Sequence, residues 1–498
     1  MNSTLTSASK QPGSKFIPFL WFAAVFLTIF SSKLWLIDRF GSSLPLLDQW
    51  AAEGWSLYIP FFEKQLMLKD LFTAHCEHRI FVSRIMFLLL LVLNGQWDVC
   101  LHMTVNAIMA AGIGVALSAF AWKLLGKKHL AVICLFNTIV FSLPFSWECS
   151  LLGFIANYFL IAFALLAVWF LLEYRLFSVK WFLGLLCALL SLVTMGSGFC
   201  AAASVLAVIL LRLVMRQDRP WRNLISAVVL GAIVMAGFFL MVDVPGHAPL
   251  KPANLGAFFV FFAQTLAWPN SSLPWTAFIV WLPSLLLLCA YILHRIDELS
   301  SAEFVFGFGL WVALQDAALA FSRCGGLTSR HTVILCLAWP INFLALLLLM
   351  HERPAMPCLR KCLTIIFLVW LGNAGYDLWK ISDKTYLAEA ASYKQHFKQC
   401  EENVRAFLGS DNIADLASKP LYDIPFPDPE LLARVLRNPH IRAILPSCVA
   451  DANRPGPLSV FVTKLIPKGA KLLIIGISLL AVLTGIRFYQ ARGSRKGF

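Results

Sequence analysis

Four of the five residues in His75-Cys76-Glu77-His78-Arg79 are ionisable, and Asp48 stands a little upstream in P-L-L-D-Q-W at 45–50. A carboxylate in a short loop can act as a general base or as a ligand for a divalent metal. Arg and His suit a phosphate, because a planar guanidinium offers paired N–H donors to an oxyanion. Glu77, set among them, can hydrogen-bond a hydroxyl or orient a base. Two later stretches offer similar chemistry. F-S-W-E-C-S at 145–150 carries Glu148 beside Trp147. F-S-R-C-G-G-L-T-S-R-H at 321–331 carries Arg323, Ser329, Arg330 and His331, and Gly325-Gly326 allows a tight turn that brings backbone close to a ligand.

Each of these has a plainer reading. Asp48 can be a solvated loop residue, with Trp50 and Trp55 anchoring its loop at headgroup depth. The 75–79 cluster, with Arg84 beyond it, can be a helix end whose long side chains snorkel to water. Glu148 can belong to an ordinary helix turn. Asp316 in the preceding apolar run can pair with Arg323 or Arg330, and His247, alone in P-G-H-A-P-L, reads as a surface histidine. The density of charge favours chemistry, because ionisable groups beside a membrane are costly unless used.

A membrane is what the rest of the chain demands. Apolar residues make up 59% of its 498 positions and charged residues 14%, against about a quarter charged in a soluble domain. Apolar runs approach the roughly 20 residues that cross a bilayer. They fall near 17–37, 80–94, 98–122, 130–143, 151–172, 181–195, 199–214, 223–242, 274–293, 303–320, 331–350, 362–379 and 466–487. A shorter run at 256–268 reads as re-entrant or interfacial. The expected fold is an all-α polytopic membrane protein with 12–14 transmembrane helices. The first run has no small-residue cleavage site and is expected to stay as a span.

Lys and Arg cluster in the loops 123–129, 173–180, 212–222, 294–295, 351–361 and 487–498, which the positive-inside rule assigns to the cytoplasm. The net charge of +14 is therefore a topology signal and anionic-lipid anchor, and it gives no reason to expect nucleic acid. The alternate loops face outward, among them 38–79, 143–150, 321–330 and 380–465. Parity fails at one place: full spans at both 80–94 and 98–122 would put K-L-L-G-K-K-H outside. The chain divides into a membrane module at 1–379, a small outward α-rich domain at 380–465, and a last span with a basic tail at 466–498. Pro425, Pro427 and Pro429 impose an extended run in the small domain before a short helix opened by Glu430. Cys400 and Cys448 share that domain and leave a disulfide open, their spacing fixing no pairing. The remaining cysteines sit mostly in apolar runs as small hydrophobes, without metal-binding spacing. The first dozen residues and the C-terminal tail read as disordered.

The chain carries no Walker A, GxGxxG, HExxH or GxSxG motif. Over most of its length it resembles the bacterial GT-C type of polytopic glycosyltransferase, near the serotype-converting O-antigen glucosyltransferases. The likeness rests on D-Q-W in the first outer loop, H-C-E-H-R before the second apolar run, P-F-S-W-E-C with Gly153-Phe154, Ser329-Arg330-His331, and F-P-D-P-E-L-L-A-R-V-L-R at 426–437. The chain departs from it at Cys76, where relatives carry Asn, and at His331, where they tend to carry Tyr.

The resemblance implies a GT-C-like fold in the bacterial inner membrane, with the site facing the periplasm. It implies a polyprenyl-phosphate-linked sugar as donor and inverting transfer to a glycan or lipid acceptor. Asp48 is the expected base, with Glu77 beside it. His78, Arg79, Glu148, Arg323, Ser329, Arg330 and His331 are the expected substrate contacts. A divalent cation, Mg or Mn, is left open as cofactor. The other reading is a transporter or flippase of a lipid-linked envelope precursor, which would use the same outer cations but needs a polar path through the bilayer.

Overall fold

The computed structural model describes residues 16–215, 220–351, 357–451 and 453–493. The ends read as disordered, and parts of the basic loops at 212–222 and 351–361, lie outside the described residues. The described chain is a bundle of apolar helices with a single two-stranded hairpin. Among the described residues nine helices are long and apolar enough to cross a membrane. This is a multi-pass, all-α membrane protein.

The bundle has two unlike ends. At one, the basic loops gather: Lys123 pairs with Glu173 at 3.0 Å, Arg212 donates to the Leu172 carbonyl at 3.0 Å, and Arg487 reaches the Lys127 carbonyl at 3.4 Å. At the other, residues 41–80, 143–155, 193–199, 321–331 and 382–456 form one continuous layer that holds every candidate site residue. Its continuity is visible in the bonds Leu47 N to Pro425 O (2.6 Å), Gly196 N to His78 Nδ1 (3.2 Å) and Trp147 Nε1 to Glu389 Oε2 (3.0 Å).

This arrangement accounts for the parity conflict. The helix Phe81–Asn94 does not run from end to end. At its start Phe81 N bonds to Val193 O, and just past its end Trp97 N bonds to Ile444 O, both in the site layer. The helix lies across that end with Ile85, Leu89, Val92 and Leu93 exposed as an apolar face. Removing it from the spans returns 123–129 to the basic end. Leu255–Leu266 behaves in the same way: Cys324 Sγ meets Ala257 O near its start, and Trp268, just past its end, packs on Phe145 of the site layer.

Residues 380–465 do not build a core of their own. Val404, Phe407, Leu432, Val435 and Leu436 share one buried cluster with Leu44, Trp50, Leu57, Tyr58 and Trp97. The segment after the first long helix and the C-terminal segment thus fold as one cap, which suits a segment too small to be stable alone. Asp428 starts its short helix Pro429–Arg437, its Oδ1 accepting from Glu430 N and Leu431 N at 3.0 Å each, so the helix opens one residue before the expected Glu430. Cys400 and Cys448 are both free thiols.

Candidate functional site

Each residue of D-Q-W does a different job. Trp50, expected as an interfacial anchor, is fully buried and donates Nε1 to Pro45 O at 2.7 Å. Gln49 accepts from Leu46 N at 3.0 Å and donates Nε2 to Glu53 Oε1 at 3.0 Å. With its neighbours fixed, Asp48 is left facing outward, its side chain 55% exposed. Leu47 before it adopts φ 51, a left-handed conformation that turns the loop and lets its N–H reach Pro425 O.

Beneath this loop lies a buried polar network. Glu53, 0% exposed, accepts from Gln49, from Tyr58 OH at 3.2 Å and from Trp97 Nε1 at 2.8 Å, with His102 Nδ1 3.6 Å away. Burial pushes the Glu53 carboxyl up to about 8 against these hydrogen bonds. A neutral acid here fastens the Asp48 loop to the bundle. Only the fold reveals this role, since Glu53 stands in the sequence as one loop acid among several.

The 74–79 stretch, expected as a helix end, is a β-hairpin. Ala74 pairs with Arg79 and His75 with His78, leaving Cys76-Glu77 as the two-residue turn. Such turns require positive φ, and Cys76 has φ 50. The strands aim His75 and His78 to one side of the turn. His75 Nε2 is 3.8 Å from Asp48 Oδ2, an ion-pair distance longer than a hydrogen bond, and it has no other partner. The His75 imidazole holds the Asp48 carboxyl below the usual carboxylate range, against burial, with Arg330 and His78 adding to the effect. Burial pulls His78 down to about 4, so the ring is neutral; its Nδ1 accepts from Gly196 N.

Glu77 at the hairpin tip is tied up. It receives Arg323 through both oxygens, Nη1–Oε1 at 2.8 Å and Nη2–Oε2 at 3.1 Å, and it also bonds His247 Nδ1. Burial raises its carboxyl, but Arg323 and His247 outweigh this and hold it at about 2. The partner of Arg323 is therefore Glu77 and not Asp316, and His247 is a member of the cluster rather than a surface residue. Asp316 is buried in Leu299–Ser322 with Oδ1 unpartnered.

Arg79 is also engaged, donating Nη1 to Phe72 O at 2.9 Å and Nε to Leu240 O at 3.4 Å. Arg84 clamps the hairpin base from behind, reaching the carbonyls of Asp70, Leu71 and Thr73. Both cations hold backbone.

Glu148 accepts from Ser329 Oγ and Arg330 N, each at 2.8 Å, and its own N–H donates to Ser329 Oγ at 3.0 Å. It caps the helical segment Ser329–His351 from the separate short helix Trp147–Leu151. His331 Nδ1 accepts from Thr328 N at 3.1 Å, so it too serves that turn. Arg330 differs from its neighbours. It is exposed, donates Nε to Thr328 Oγ1 at 3.2 Å, and its Nη atoms meet no protein partner among the described residues.

The expected residues do converge. Asp48 feels the charge of His75, His78 and Arg330, and His78 feels that of Glu77, Arg323, His75 and Asp48. No group of three or more His, Cys, Asp or Glu suited to a metal ion occurs among the described residues, and Glu77 and Glu148 are bound to protein donors. The exposed Arg330 can hold an anion, and the same cluster presents an ionised, accessible carboxylate at Asp48. No family model, no curated protein and no solved structure matches the chain.

Proposed function

We propose that this protein is a GT-C-like glycosyltransferase of the bacterial inner membrane, moving a sugar from a polyprenyl-phosphate donor to an acceptor on the periplasmic face. The observation that carries the reading is one cluster that holds an exposed Asp48 carboxylate, kept below the usual carboxylate range by His75 with Arg330 adding to the effect, and an exposed Arg330 whose Nη atoms meet no protein partner among the described residues. The clustering of Lys and Arg at the opposite end supports the orientation, since basic loops stay in the cytoplasm.

In this mechanism Asp48 takes the proton of an acceptor hydroxyl as that oxygen bonds to the anomeric carbon. The bond from that carbon to the phosphate oxygen breaks, and the phosphate leaves with the electron pair. Arg330 receives its charge, with Arg323 adding its field from behind Glu77. His75 holds Asp48 ionised. Glu77 and His78 set the geometry rather than react.

The transporter reading has in its favour the buried polar atoms within the spans that lack a hydrogen-bond partner among the described residues, Asp316 Oδ1, Asn106 Oδ1, Trp311 Nε1 and Trp339 Nε1. Against it, they form no continuous polar path shown by hydrogen bonds, and the buried cation of the first span, Lys33, is bound to Leu143 O at 2.9 Å. Asp48→Asn in cells separates the two readings. Transfer should fall by about 100-fold or more, with lipid-linked sugar accumulating. Unchanged surface glycans and lipid pools at normal protein level would overturn the proposal.

A further inference from the structure

Near the Glu148–Arg330 turn, the C-terminal segment places a group of rings to which the mechanism above gives no task. Tyr393 lies 4.9 Å from Trp147 and 6.4 Å from Tyr422, ring centre to ring centre, and His396 lies 5.9 Å from Tyr422. Tyr422 is 62% exposed although nothing forces a large ring into water at this position. Its loop is pinned: Asp423 Oδ1 pairs with His396 Nδ1 at 2.9 Å, Asn403 donates to Asp423 O at 2.8 Å, and two residues on, Pro425 receives Leu47 N. The group borders the reacting centre. Tyr393 packs on Trp147, and the next residue, Glu148, accepts from Ser329 Oγ and Arg330 N at 2.8 Å each.

We infer that Tyr393, His396 and Tyr422 form the acceptor subsite, and that the acceptor is a carbohydrate rather than a lipid. The inference rests on the transferase reading. Aromatic faces carry partial negative charge, so they attract the polarised C–H bonds on the apolar face of a pyranose, while nearby carboxylates accept hydrogen bonds from its hydroxyls. A lipid acceptor would need a continuous apolar groove. Here the rings are interleaved with Asp423, Glu389 and Glu148, and Trp147 spends its N–H on Glu389. A sugar stacked on Tyr422 extends along a pinned loop whose other end holds the Asp48 turn, which puts an acceptor hydroxyl within reach of the base.

The test uses the full chain in detergent micelles and two probes: undecaprenyl phosphate, and the soluble glycans that mild acid releases from the envelope of the producing cell. Saturation-transfer NMR reads glycan binding and native mass spectrometry reads the lipid phosphate. Tyr422→Ala with His396→Ala should weaken glycan binding by about tenfold, the effect of losing one or two stacking contacts. Tyr422→Phe should retain it, and lipid-phosphate binding should stay unchanged in all variants. Unaltered glycan binding by the double variant overturns the subsite, as does a wild-type protein that binds undecaprenyl phosphate but no glycan. Weakened binding in the double variant together with full transfer by Asp48→Asn would instead remove Asp48 as the base and leave the subsite standing.

Discussion

Glu77 and Arg323, 246 residues apart in the chain, meet through two parallel hydrogen bonds of 2.8 and 3.1 Å. The pair ties the hairpin tip to the end of Leu299–Ser322 and fixes two segments of the site layer relative to each other. Glu77→Gln keeps the shape and removes the charge. It should lower stability by about 1–2 kcal/mol, since a charged hydrogen bond is lost and Arg323 is left without its anion. The pH dependence follows from a carboxyl held at about 2 instead of 4.5. Its contribution is complete above pH 4.5 and disappears as pH falls toward 2. Thermal unfolding of the detergent-solubilised protein between those values should show a loss that Glu77→Gln lacks.

Glu53 predicts the opposite slope. Its carboxyl rises from 4.5 to about 8, so the folded state holds a proton that the unfolded chain releases. Its contribution is complete below pH 4.5 and declines as pH climbs through 8. Glu53→Gln should flatten that decline. Glu53→Ala should cost about 1–3 kcal/mol by stranding Trp97 Nε1 and Tyr58 OH. Tm measured against pH for the three proteins checks the sign.

Gly196 allows the hairpin to seat. A Cβ there would come 2.9 Å from Glu77 O and 3.3 Å from His78 Nδ1. The first contact is with backbone and cannot be relieved by a rotamer change. Gly196→Ala should shift the hairpin, reduce transfer by about tenfold or more through displacement of the site, and leave expression near normal. Activity per amount of folded protein is the measurement.

Cys76 occupies a left-handed turn position, φ 50, where Asn is better tolerated. Cys76→Asn should raise stability by about 0.5–1 kcal/mol without loss of transfer. A fall in Tm would show that the thiol has a role the backbone does not reveal.

By itself the sequence determined the class of protein. Apolar runs of bilayer length admit only helices, because backbone groups in lipid must bond within their own segment, and each of the expected runs is helical in the structure. It also brought out the ionisable stretches that converge. Those are scarce in a greasy chain, and their cost in the membrane makes them visible.

What each ionisable residue does was decided only by tertiary contacts. Nothing local distinguishes Arg323, which is bound to Glu77, from Arg330, whose Nη atoms are left exposed, or Arg79, which holds backbone, from either. The same holds for Glu53 and for the helix Phe81–Asn94, whose length suggests a short span but whose two ends bond to one layer. Composition and spacing report what a side chain costs to bury. They do not report which distant group meets it, and that meeting sets its charge, its freedom and its use.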